Sequence, residues 1–231
     1  MAMVTMMPVM ALNVAIAAAG AMVIVNTVVL VQGELGLTQR ATALALAAFG
    51  GGSMLAALIL PRLLEVIPDR KAMLAGACIL VAGLLVGSLV RNYELLLAVW
   101  CVLGLGYSMA QTPSGRLLRR SSQPEDRPAL FAAQFALSHA CWLITYPVAG
   151  WAGAKIGLAA TFVLLASLAA IAVLAATQLW PRRDPEMIEH VHVTLDASHP
   201  HLAGAARVEK GHRHAHAYVI DSHHPEWPRP T

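Results

Sequence analysis

The chain has 231 residues, 58% of them hydrophobic and only 13% charged, with a mean hydropathy of +0.62, whereas soluble domains carry roughly a quarter charged residues. That composition excludes an ordinary soluble domain and reads as a polytopic membrane protein. The net charge of +3 does not mark a nucleic-acid partner, because the basic residues sit at the ends of apolar runs with no aromatic residues interleaved among them.

The first span is predicted over residues 8–31, long enough for the roughly 20 apolar residues that cross a bilayer. A signal peptide fits less well, since residues 1–7 hold no Lys or Arg and the apolar run exceeds the usual length of about 7–15 residues. Asn13 and Asn26 lie thirteen residues apart, on different helix faces, and read as partners for helix–helix hydrogen bonds. A loop over 32–40 leads to the second span, 41–60, whose Gly50, Gly51 and Gly52 serve either close helix packing or a hinge. The charged turn Pro61–Lys71 follows. The third span, 72–90, is almost uniformly aliphatic and is expected to face lipid.

Residues 91–94 turn the chain into the fourth span, 95–113. Helical spacing puts Trp100, Gly104, Tyr107, Gln111 and Ser114 on one face, which is not a face for lipid. A second basic loop carries Arg116, Arg119, Arg120 and Arg127. The fifth span, 129–153, sets Phe135, His139, Trp142 and Tyr146 on one face, and Pro147 is expected to bend it. The sixth span, 158–179, is aliphatic like the third. Cys78, Cys101 and Cys141 lie within these runs without the spacing of a metal knuckle or disulfide framework, and read as small packing residues.

Six spans put both termini on one side, and charge decides which. With the termini inside, the inner segments hold Arg62, Arg70, Lys71, Arg116, Arg119, Arg120, Arg127, Arg182 and Arg183, against Arg40, Arg91 and Lys155 outside; positive residues collect in the cytoplasm. The prediction is a multi-pass protein of the cell (inner) membrane with both termini cytoplasmic.

Beyond Pro181 the composition shifts to Pro, Asp, Glu and His. The domains are therefore 1–181, an all-α membrane domain, and 182–231, a cytoplasmic tail expected to be largely disordered. The tail holds nine of the chain's ten histidines: His190, His192, His199, His201, His212, His214, His216, His223 and His224. His-x-His spacing brings two imidazoles together in an extended chain, and neutral imidazole without thiolate partners suits borderline divalent ions such as Ni, Co, Cu and Zn. A solvated, merely His-rich tail is the alternative.

Each triplet of spans has two helices with small or polar residues followed by an aliphatic one, an internal repeat of the kind that builds transporter halves. On that pattern the chain resembles the C-terminal six-helix half of a major facilitator superfamily transporter over about residues 8–181. The turn Pro61–Lys71 resembles the family's cytoplasmic Gly-x-Leu-Ala-Asp-Arg-x-Gly-Arg-Lys loop. Glu65 stands at the family's Asp and Arg70 near its basic pair; Pro61 and Pro68 replace its glycines, and Val66 its first Arg. Asp69 and Lys71 complete the charged set of the loop.

The resemblance implies that spans one, two, four and five line a cavity while three and six lie outside, and that the chain is a secondary transporter, an efflux carrier, working by alternating access. Its path candidates are Tyr107, Gln111, His139, Trp142 and Tyr146. His139 is the one candidate within a span for a protonation switch, and it serves either as such a switch or as a hydrogen bond to a neighbouring helix. The spans hold no Asp, Glu, Lys or Arg, so a proton-coupling carboxylate would come from a partner. Because the family has twelve spans, the chain reads as a split-gene product, a truncation, or a half pairing with a second half or another copy. The tail is similar to the His-rich tails of the family's nickel and cobalt exporters, which makes divalent metal the alternative cargo to a hydrophobic small molecule. No nucleophile–base set or phosphate loop suggests an enzyme, and no cofactor is implied beyond a metal at the tail.

Overall fold

In the computed structural model each long apolar run is a helix, as a bilayer requires of backbone groups that have no water to bond. The structure describes residues 2–180, 187–193, 195–196 and 198–224. Pro181, Arg182 and Arg183, with the predicted domain boundary, lie outside the described residues.

The helices are α1 (Ala2–Val28), continued by a π-helical turn over Val29–Glu34, α2 (Gln39–Leu63), α3 (Asp69–Gly87), α4 (Tyr93–Gln111), α5 (Ser114–Arg120), α6 (Arg127–Ile156) and α7 (Leu158–Leu179). With α5 extending α4, they make six helices long and apolar enough to span a membrane. Their starts follow local chemistry. The side chains of Thr38 and Asn92 accept the N–H groups of Ala41 and Leu95, satisfying donors that a helix leaves open at its first turn. Gly157, at φ +82°, turns α6 directly into α7 in a conformation that costs glycine little. α6 runs unbroken through Pro147.

α1 is the centre of the bundle. Leu12, Ala15, Ile16, Ala18, Ala19 and Met22 are fully buried, and the helix packs against α3, α4, α6 and α7. α2 lies on α4, and the backbones come close: a Cβ at Gly52 would run into the Cys101 carbonyl, and one at Gly104 into that of Phe49. Only Gly52 of the triplet is used in this way, since open space adjoins Gly50 and Gly51. Gly76 and Gly106 make a second close crossing, between α3 and α4, where a Cβ on Gly76 would sit 2.6 Å from the Ala110 nitrogen. Trp100 is fully buried, donates its indole N–H to Thr27 Oγ1 at 2.9 Å, and meets Phe162 of α7 edge-on. Asn26 donates to the Ala149 carbonyl of α6 at 3.2 Å, the helix–helix bond its position suggests, while the buried Asn13 amide nitrogen has no such partner.

Two expectations need correction. The third span does not simply face lipid: Ala72, Met73, Gly76, Ala77, Leu80, Gly83, Leu84 and Gly87 are buried, and α3 and α7 form a layer behind α1 and α4. Uniform apolarity conceals which stripe is packed, and here that stripe is drawn by small residues. Nor are the described residues of the tail without structure. β1 (Met187–His192), β2 (Ala206–Val208) and β3 (Gly211–Ala217) form an antiparallel sheet in the order β1-β3-β2. Judged by aliphatic content the segment has little to bury. Its packed face is built instead from imidazole rings, joined by Tyr218.

The aromatic wall and the imidazole cluster

The first candidate site is a wall of rings on the bundle. Tyr107 of α4 meets Phe49 of α2 edge-on at 5.6 Å between centroids and Trp142 of α6 at 6.3 Å, and Trp142 lies 5.3 Å from Tyr146. Gly20 of α1 is the floor, since a Cβ there would touch Trp142 at 3.5 Å and Tyr107 at 3.8 Å. Three of the predicted path residues therefore meet. Gln111, half-buried, lies one turn further along α4. His139 is apart from the wall: it is exposed, lies on the Phe135 ring at 3.9 Å and donates from Nδ1 to the Phe135 carbonyl at 2.8 Å. Phe49 escaped the sequence reading, although it is the one aromatic residue of the second span.

At one end of the bundle, Arg116 of α5 holds Asp69 at the first turn of α3, with Nε 3.0 Å from both carboxylate oxygens and Nη2 at 2.9 Å. Asp69 is 2% exposed. Glu65, the residue aligned with the family's Asp, is exposed, as is Lys71, and Arg70 is half-buried. The sequence signal for Asp69 was its place just after Pro68, where an acidic residue opens a helix and meets its positive dipole end.

The second candidate site is in the tail. Alternation along a strand puts His190 and His192 of β1 on one face, as it does His212, His214 and His216 of β3. Antiparallel pairing sets His190 opposite His214 and His192 opposite His212. His201, from the short 3-10 turn Pro200–Leu202, and His224 close over them. One ligand atom from each of His190, His201, His214, His216 and His224 lies within 4.8 Å of all the others. His192 joins them, its Nε2 3.1 Å from that of His190 and 3.2 Å from that of His201. His199 and His223 pair at the margin with ring centroids 4.9 Å apart.

The tautomers decide what this cluster can do. Nδ1 of His190 faces the Ile188 carbonyl at 3.0 Å, Nδ1 of His216 the Ala217 carbonyl at 2.9 Å, and Nδ1 of His224 the Asp221 carboxylate at 2.9 Å. Those oxygens only accept, so each Nδ1 carries the hydrogen and each Nε2 presents a lone pair. Yet Nε2 of His224 lies 3.0 Å from that of His190 and 3.2 Å from that of His216. Three lone pairs that converge without a hydrogen between them repel unless a cation lies among them. Ligand nitrogens about 2.0–2.1 Å from a metal stand about 3.0–3.4 Å from one another, so the spacing suits a shared ion. His214 Nε2 is buried and has no hydrogen-bond partner. Burial first, and then the charge of neighbouring imidazoles, hold His192 and His201 down at about 4; burial also lowers His190, His214 and His224.

The sequence profile of the Major Facilitator Superfamily matches residues 10–206, most of the chain. The chain belongs to the Major Facilitator Superfamily. It is accordingly a multi-pass membrane transporter that sits in a lipid bilayer and moves small-molecule substrates. No curated protein matches it. The match extends past α7 into the imidazole-bearing tail.

Proposed function

We propose that this chain is a secondary-active efflux carrier that supplies one six-helix half of a transport cavity and acts with a second half or another copy of itself. The aromatic wall carries this reading. Phe49, Tyr107, Trp142 and Tyr146 come from three helices, and the π faces and apolar edges of such rings suit hydrophobic or cationic organic molecules. Because the spans bring no Asp, Glu, Lys or Arg of their own, a coupling carboxylate would sit in the partner half. Both termini are cytoplasmic in this reading. The test is transport in vesicles holding this chain with its partner: Trp142→Ala and Tyr107→Ala lower transport while inserting normally. Wild-type transport by both variants would leave the wall a packing surface only.

A second reading is favoured by the converging Nε2 atoms: the tail captures a divalent transition ion, with Ni²⁺, Co²⁺ or Zn²⁺ the ions an all-imidazole set suits, and hands it to the transporter as cargo. His190, His201, His214, His216 and His224 are its ligands. Metal analysis of the purified full chain tests it, with about one ion per chain in the wild type and none after His190, His214 and His224 are replaced by Ala.

A further inference from the structure

The tail touches the helical bundle between two of its own ligands. Ile220 donates its backbone N–H to the Arg120 carbonyl at 3.1 Å and accepts from Arg127 Nη2 at 3.0 Å, and its side chain is buried. Arg120 ends α5 and Arg127 begins α6, so Ile220 bridges both sides of the connecting loop, residues 121–126. Four residues to either side of Ile220 stand His216 and His224, whose Nε2 atoms meet at 3.2 Å. The segment between them is held from within. Asp221 accepts the N–H groups of His223 and His224, each at 2.9 Å, as well as His224 Nδ1. Tyr218, 4% exposed, packs on His190 at 5.1 Å and on His224 at 4.8 Å, linking the cluster to the docked tip.

We infer that metal held by His216 and His224 closes residues 216–224 into a clamp on the α5–α6 loop, so that metal occupancy of the tail restrains α6, the helix that brings Trp142 and Tyr146 to the aromatic wall. The inference rests on the metal-binding reading and adds regulation to it. A ligand pair on both sides of the tip is what separates a clamp from simple capture. Without the ion, three converging lone pairs drive His216, His190 and His224 apart and open the ends of the loop. With the ion, the two ends are joined and Ile220 is presented to Arg120 and Arg127 in one conformation. α6 is the least buried of the six spans and so has the fewest packing contacts opposing its movement, which makes its first turn an effective place to restrain it.

The experiment is hydrogen exchange on the full chain in detergent, with Ni²⁺ and with chelator, alongside metal analysis of the same samples. If the ion binds only the docked conformer, free Ni²⁺ at a hundred times its Kd slows exchange about 100-fold, both in 218–222 and in the loop 121–126. Arg127→Gln should keep the bound nickel and the metal-dependent protection of β3 while losing most of the loop's protection. Nickel that binds and protects β3 but leaves loop 121–126 unchanged overturns the clamp and leaves metal capture standing. Loop protection undiminished in Arg127→Gln also overturns it, because the restraint then does not run through this dock. A chain that binds no nickel removes the metal-binding reading and the clamp with it.

Discussion

The glycine triplet of α2 gives a prediction of opposite signs at adjacent residues. A Cβ on Gly52 meets the Cys101 carbonyl and one on Gly104 meets that of Phe49, both backbone atoms, so the α2–α4 crossing must open to admit either. Overpacking of this kind costs about 1–3 kcal/mol, set against a gain in helix propensity of up to about 1 kcal/mol for Gly→Ala. The net loss is therefore about 0–2 kcal/mol for Ala and larger for Val at the same sites. Gly50 and Gly51 have open space beside them, so Ala there keeps the propensity gain alone. At about 2–4 °C per kcal/mol for a chain of this size, Gly52→Val and Gly104→Val lower the melting temperature by several degrees, while Gly50→Ala and Gly51→Ala leave it unchanged or raise it. A thiol-reactive fluorophore reads the transition through Cys101 and Cys141, both partly buried. The Gly104 variants should also lower transport, because they displace Phe49 from Tyr107. If all four variants shift the transition in the same direction, the close crossing is not as described.

On the aromatic wall, Trp142→Ala should reduce transport more than His139→Ala, because His139 lies outside the ring cluster; equal losses in vesicle transport would return His139 to the path. For orientation, a cysteine replacing Glu34 should react with an impermeant thiol reagent from outside, and one replacing Glu65 should not; the reverse labelling would overturn cytoplasmic termini. In metal-free protein, acid should loosen the tail. His192 and His201 titrate at about 4 in the fold instead of at 6.5, so the unfolded tail takes up protons first, and stability present above pH 6.5 is lost as pH falls toward 4. Hydrogen exchange of β1 and β3 across that window checks it, and flat protection from pH 7 to 4 would contradict it.

The spans were legible because a bilayer leaves the backbone one economical solution, and apolar runs of that length announce it. Inside the bundle the same uniformity works against the reader. Ala72, Gly76 and Gly83 carry no polar signal to distinguish a packed stripe from a lipid-facing one, and Phe49 is one apolar residue among many. Tyr107, Trp142 and Tyr146 were found because polar-tipped rings at helical spacing stand out against aliphatic neighbours. Asp69 and not Glu65 is the buried acid of the loop, because burial depends on where α3 begins and the loop motif does not show that. In the tail the paired histidines were visible in the His-x-His spacing, but the sheet that gathers them was not, since hydrophobicity treats imidazole as polar. A neutral imidazole ring held at depressed pKa packs much as an aromatic ring does, and a segment counted as having no core builds one from its histidines.

The wall and the cluster differ in chemistry in a way that separates two cargoes. Among the described residues the wall offers aromatic faces and phenol groups and no carboxylate, so a bare divalent ion would gain little there against the cost of losing its water. The cluster offers neutral nitrogens at the spacing of a shared ion. If the carrier acts with a partner half, as proposed above, a metal ion delivered by the tail would find its membrane ligands there, while an organic substrate would be held by this wall directly. Deleting residues 187–224 distinguishes them: it abolishes nickel tolerance if metal is the cargo, and leaves organic-substrate transport near its wild-type rate if the wall carries the substrate. A deletion that removes both would mean that the tail restrains or supports α6 whatever the cargo, and one that removes neither would exclude the tail from transport altogether.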